Sequence, residues 1–147
     1  MNFSDIEKLV ENGQKPFLAI AVSEETRLLK AVDKALGKSL SGAYLIGDGQ
    51  KIKELKNRFN LELFGAEIIS AESPEAACEM AVLLANQGKA DLVMKGLVDT
   101  AVFLKAVIQK EKGLMTGQLL SSVMVVELPA YHKPIITTDG GWSLPRI

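Results

Sequence analysis

Short apolar runs alternate along this chain with stretches in which apolar residues recur every three or four positions. Pro16 to Val22 (PFLAIAV), Ala43 to Ile46 (AYLI), Ala66 to Ile69 (AEII) and Asp91 to Met94 (DLVM) are of the first kind. They read as strands covered on both faces. Between them, Leu28, Ala31, Val32 and Ala35, then Ile52, Leu55 and Phe59, then Ala77, Met80, Ala81 and Leu84 fall at helical spacing. Ser4 and Glu7 form a capping-box pattern for an earlier short helix carrying Ile6, Leu9 and Val10 and stopped by Gly13. Ser23 is placed to cap the helix that Gly37 ends, and Ser73-Pro74 to start the one that runs to Gly88. Asp99 to Gln109 is apolar around most of a helical circumference, which predicts a deep position. Ser122 to Leu128 and Pro134 to Thr138 are two more strands, and the short Pro129 to Lys133 link between them fits antiparallel neighbours. Strands alternating with helices predict an α/β fold: a three-layer, mainly parallel sheet with helices on both faces and right-handed crossovers.

Composition sharpens this picture. At 147 residues, 48% hydrophobic and 24% charged, the chain is neither disordered nor collagen-like. Aromatic residues are only 5%, so Leu, Ile, Val and Ala must fill the core, as they do where helices cover strands. A net charge of -1 supplies no field toward nucleic acid or anionic lipid, and neither partner is expected. Cys78 is the single cysteine, which excludes an internal disulfide and suits a reducing interior. Met1-Asn2-Phe3-Ser4-Asp5 carries no basic run leading into an apolar stretch, and no segment reaches the ~18 apolar residues of a membrane span. A cytoplasmic protein, neither exported nor membrane-embedded, is expected.

In open α/β sheets, ligands bind beyond the carboxyl ends of strands, where loop amides and helix N-termini converge. The richest such loop follows the fourth strand. In Met94-Lys95-Gly96-Leu97-Val98-Asp99-Thr100, Lys95 offers charge, Gly96 lets backbone approach a ligand, and Asp99 or Thr100 opens a helix. The pattern fits a phosphate or carboxylate site; it also fits an ordinary βα turn with an exposed lysine and a capping Asp. Lys105, amid apolar neighbours, either reaches out to solvent or meets an anion. The hydroxyls and glycine of Thr116-Gly117-Gln118-Leu119-Leu120-Ser121-Ser122 can donate to phosphate oxygens or cap a turn. Thr137-Thr138-Asp139-Gly140-Gly141 suits close backbone approach at a sheet edge, and equally a plain turn. Gly47-Asp48-Gly49 lacks the full dinucleotide fingerprint and reads as structural. His132 has no partners at ligand spacing, so no metal site is expected, and Cys78 lies on an apolar helix face as a packing residue. There is no G-x-S-x-G elbow or P-loop.

The segment from Lys89 to Thr100 (KADLVMKGLVDT), continued by Leu104-Lys105-Ala106-Val107 and by Gly113 to Ser121 (GLMTGQLLS), resembles the phosphate acetyl/butyryltransferase family, and phosphate butyryltransferase more than the acetyl enzymes. The likeness extends weakly back to the first strand and on to Thr138-Asp139-Gly140-Gly141. It implies the layered α/β fold shared with isocitrate and isopropylmalate dehydrogenases, and a cytoplasmic enzyme moving an acyl group between coenzyme A and inorganic phosphate. Acyl-CoA and phosphate would be its substrates, with coenzyme A as a substrate and no permanently bound cofactor. A homo-oligomer is implied as well. Lys105 matches the basic position with which relatives hold anionic substrate; Lys95, Gly96, Thr116, Gly117, Ser121 and Asp139 complete the expected binding set.

Family chains continue into a second domain of comparable size, and the cleft between the domains holds the serine, arginine and aspartate credited with catalysis. By that resemblance residues 1–147 are an N-terminal α/β domain, the catalytic residues lie elsewhere, and the chain by itself should turn over little or nothing. After Gly141 relatives tend to continue with Met-Asn, whereas here Trp142 to Ile147 (WSLPRI) follows. Truncation, a frameshift or an isolated fragment each accounts for that ending. Two rival readings are a non-catalytic module that binds acyl phosphate or coenzyme A, and an assembly half that uses its apolar last strands as an interface.

Overall fold

The structure, a computed structural model, describes residues 2–118 and 120–138. In chain order its elements are α1 (Phe3–Asn12), β1 (Phe17–Ala21), α2 (Thr26–Ala35), β2 (Gly42–Gly47), α3 (Gly49–Arg58), β3 (Ala66–Ser70), α4 (Pro74–Asn86), β4 (Leu92–Lys95), α5 (Thr100–Val107), β5 (Val123–Val126) and β6 (Ile135–Thr138). They fall into two compact units, Lys15–Met115 and one made of the two chain ends.

In the larger unit four parallel strands lie in the order β3-β2-β1-β4. Alternation along β1 assigns its side chains to two cores. Leu18 and Ile20 point to the face covered by Leu29 and Val32 of α2 and Ile52 of α3, while Ala19 and Ala21 meet Ala77, Cys78, Ala81 and Val82 of α4 on the other. The chain steps from β1 to β3 in one direction, then crosses to the far side of β1 for β4 and changes face as it does so. Right-handed crossovers require that change. Ile20, Leu29, Leu45 and Ile52 are fully buried, and cutting any of them back to Ala should cost about 2–5 kcal/mol. The low aromatic content is thus explained: aliphatic side chains fill both layers.

Helix starts depart from the sequence reading in two places. Ser23 does not cap α2. It is fully buried, its Oγ donating to the Ile46 carbonyl at 3.3 Å and its amide to the same oxygen at 3.1 Å. The helix starts further on, at Glu25, whose carboxylate accepts from the amides of Arg27 and Leu28. Those two bonds hold the Glu25 carboxyl below its ordinary range. Likewise, α1 is capped by Asn2 with Asp5 rather than by Ser4 with Glu7, because the helix begins at Phe3. Ser73, by contrast, caps α4 through the Ala76 amide at 3.1 Å, with Pro74 beginning the first turn.

The smaller unit holds α1 and an antiparallel pair, β5 and β6, registered from Val123 opposite Thr138 to Val126 opposite Ile135. Within it the Phe3 amide donates to Glu127 at 2.9 Å. No helix among the described residues is long and apolar enough to cross a membrane.

Candidate functional site

The strand order reverses direction between β1 and β4, so the crevice beyond their carboxyl ends is where an open α/β sheet places ligands. Its floor is tightly built. The Gly96 amide donates to the Ala21 carbonyl at 2.7 Å, and the Leu97 amide to Val22 at 3.0 Å. A Cβ on Gly96 would lie 2.1 Å from the Val22 carbonyl oxygen. The glycine is therefore required by the close pass of two backbones, and its amide is already spent. Val22, at φ 58°, takes a left-handed conformation that a β-branched residue rarely adopts. This strained turn marks the end of β1.

Lys95 projects from the end of β4, exposed, and its Nζ donates to the Val98 carbonyl at 3.0 Å across its own turn. Asp99 caps α5 through the Ala101 amide at 2.7 Å. Lys105 is exposed on the last turn of α5. It lines a groove of about 140 Å³ with Glu75 and Glu79 of α4, Val102, Ala106 and Gln109. Gln109 Nε2 donates to Glu79 Oε1 at 3.2 Å. Lys95 is not among the residues of that groove.

The helix bearing Lys105 does not lie deep, contrary to its apolar sequence. Ala106 alone is buried, with Val102, Phe103 and Val107 half-covered against α4 and the sheet. The reason is positional: in the four-stranded sheet β4 is an edge strand, so the layers end beside α5. Leu92 and Met94 of that strand are exposed for the same reason.

Thr116, Gly117 and Ser121 belong to the smaller unit and are exposed. Gly117 has φ +80°, with nothing near the place of a Cβ, so its glycine serves backbone conformation. Asp139, and the glycines after it, lie outside the described residues. Cys78 is fully buried, and burial pushes its thiol up; the charges of Glu75 and Glu79 add to the shift and Lys95 opposes it. His132 is exposed, its ring 5.0 Å from Tyr131. Among the described residues no three His, Cys, Asp or Glu side chains are placed to hold a metal ion.

Sequence reasoning missed a second concavity. Beyond β1, β2 and β3 lies a pocket of about 360 Å³, walled by Glu24, Asp48, Glu72, Ser70 and Ser73. The Gly47-Asp48-Gly49 turn is part of that wall as well as the start of α3, where Asp48 caps through the Lys51 amide. Glu24 Oε2 is buried without a hydrogen-bond partner among the described residues. It occupies the space above Gly47, 1.9 Å from where a Cβ would stand, and Gly47 takes φ +155°. Three carboxylates and no lysine or arginine line the pocket, so it is the wrong place for an anion. The signal available in the sequence was Ser23-Glu24-Glu25, directly after the first strand.

No protein-family model matches the chain. Among curated proteins it is 36% identical over 142 residues to phosphate butyryltransferase from Clostridium beijerinckii, covering 97% of this chain and 47% of that one. With phosphate acetyltransferase from Thermotoga maritima it shares 30% identity over 138 residues, covering 92% and 47% respectively. Among solved structures, a branched-chain phosphotransacylase from Enterococcus faecalis V583 superposes with a TM-score of 0.63 at 28% identity, covering 84% of this chain and 42% of its own. The chain spans about half the length of the curated relatives it matches.

Proposed function

We propose, from the premise that nearly all of this chain is similar to phosphate butyryl- and acetyltransferases, that it is part of a phosphate acyltransferase. The reaction moves an acyl group between coenzyme A and inorganic phosphate. A phosphate oxygen attacks the thioester carbonyl carbon, the carbon–sulfur bond breaks, coenzyme A leaves as the thiolate, and acyl phosphate forms. The chemistry needs fixed positive charge for phosphate and a donor for the developing oxyanion. The observation that carries the reading is Lys105, an exposed ammonium on α5 at the mouth of a groove, within the segment whose sequence resembles that family.

In this reading Lys105 holds phosphate as a compact charge, and Lys95 joins it by releasing the Val98 carbonyl. Gly96 seats the loop against β1. Thr116, Gly117, Ser121 and Asp139 are proposed as further binding residues on the family resemblance alone. Thiol activation belongs to residues outside this chain, coenzyme A is a substrate, and no cofactor is held permanently. A cytoplasmic homo-oligomer is the setting we propose. The test is a thiol-release assay with butyryl-CoA and phosphate, beside a phosphate titration followed by NMR. Residues 1–147 should release no thiol above background yet bind phosphate at α5, with Lys105→Ala weakening binding about tenfold. Full turnover by residues 1–147, or unchanged binding by Lys105→Ala, would refute it.

A further inference from the structure

We infer that the ribbon formed by β5 and β6 is a docking surface for the remainder of a longer acyltransferase chain, the part of its relatives' length that this chain does not span. The inference rests on the reading of the chain as part of such an enzyme and adds where the rest engages it. Every buried apolar side chain among the described residues lies between Leu18 and Ala106, within the larger unit. The smaller unit has none. Its helix α1 buries no residue, and Phe3, Leu9 and Val10 are exposed. A two-stranded pair with no covered face is at best marginally stable in water, so this one needs an occupant.

Three observations choose that occupant. Register and alternation put Val123, Val125, Ile136 and Thr138 on one face of the ribbon, and Met124, Val126, Ile135 and Thr137 on the other. Apolar side chains stand open on both faces: Val123 is 66% and Ile136 68% exposed on the first, and Met124 is 63% exposed on the second. A second copy stacked across a two-fold axis would cover one face and leave the other bare; a long polypeptide can pass on both sides. From Thr116 to Thr138 the only charged residues are Glu127 and Lys133, in a chain that is 24% charged. Such depletion marks the covered core of an interface. Finally, the curated relatives are about twice as long as the part matched here. The unmatched half is thus large enough to cover both faces with apolar side chains. It can also add backbone at the ribbon's outer edges, since β5 and β6 pair only with each other among the described residues.

The experiment reads amide hydrogen exchange, residue by residue, in residues 1–147 and in a chimera where this chain replaces the matching part of the Clostridium beijerinckii phosphate butyryltransferase. A second chimera carries Val125→Asp and Ile136→Asp. In residues 1–147 the ribbon amides should exchange within about tenfold of the unfolded rate at every protein concentration, while β1 and β2 stay protected. In the first chimera the ribbon should slow about a hundredfold, and the two aspartates should return it to fast exchange with β1 and β2 still protected. Protection that rises with the concentration of residues 1–147 identifies a second copy as the occupant and overturns the inference. Protection at every concentration shows that no occupant is needed and overturns it as well. So does a ribbon that exchanges as fast in the chimera as in residues 1–147, or one that stays protected with both aspartates in place. Thiol release from butyryl-CoA by the first chimera is measured separately: a protected ribbon without turnover counts against the enzyme reading and leaves the docking surface standing.

Discussion

Adding one methyl group at Gly96 separates the two meanings a glycine in a βα loop can carry. The new carbon would lie 2.1 Å from the Val22 carbonyl oxygen and 3.0 Å from that of Ala21. Both obstacles are backbone, so neither can swing aside as a flexible side chain would. Relief requires β4 to move off β1, lengthening the Gly96 to Ala21 and Leu97 to Val22 hydrogen bonds, now 2.7 and 3.0 Å. Overpacking costs about 1–3 kcal/mol and a buried backbone group left unpaired about 1–3 more. Gly96→Ala should therefore lose roughly 2–6 kcal/mol. The control is Gly37→Ala. There φ is +79° and nothing lies within 4 Å, so the cost is the backbone term alone, on the order of 1 kcal/mol. Urea unfolding followed by circular dichroism gives both midpoints. If Gly96→Ala melts with Gly37→Ala while losing phosphate affinity, the glycine serves ligand approach and the packing account is wrong.

Two further outcomes follow from single side chains. Gly47→Ala should be destabilised through both its φ of +155° and a collision with Glu24; in a double-mutant cycle Glu24→Ala should recover part of the loss, and strict additivity would show that the carboxylate is not the obstacle. Glu25 bears on pH dependence. Its folded carboxyl is held low, chiefly by the Arg27 and Leu28 amides, so its contribution is complete above the ordinary value of about 4.5 and is lost as pH falls through the lowered folded value. The stability gap between the unaltered chain and Glu25→Ala should thus be widest near neutrality and narrow in acid; a gap independent of pH would mean the ionised cap is not its cause.

Apolar runs and helical periodicity located every strand and helix of the larger unit, because β1 and β2 send alternate side chains into two cores and α2, α3 and α4 each bury one face. It failed where tertiary geometry overrides local pattern. Ser23 looks like a cap, but the strained turn at Val22 carries it past the helix start and into pairing with Ile46. The run Ala101 to Val107 looks like a core helix, but its depth depends on what lies beyond β4, which periodicity along α5 does not encode. At the candidate site the sequence yielded the identity of Lys95 and Lys105. Their present partners, the Val98 carbonyl and the groove shared with two glutamates, come from neighbours close in space; those glutamates stand 26 and 30 positions earlier in the chain.

The state of the loop amides decides how this corner can grip an anion at all. A phosphate cradle of the backbone kind needs unpaired N–H groups pointing outward. Here the amides of Gly96, Leu97, Val98, Ala101 and Phe103 all have partners within the protein. With most of the loop amides spent, grip must come largely from side chains, from lysines exposed at the surface. Such a site gains little from low dielectric and is screened beyond about 8 Å at physiological ionic strength. Its phosphate affinity should fall steadily with added salt. An affinity indifferent to salt would instead point to buried amides elsewhere in the chain as the true ligands.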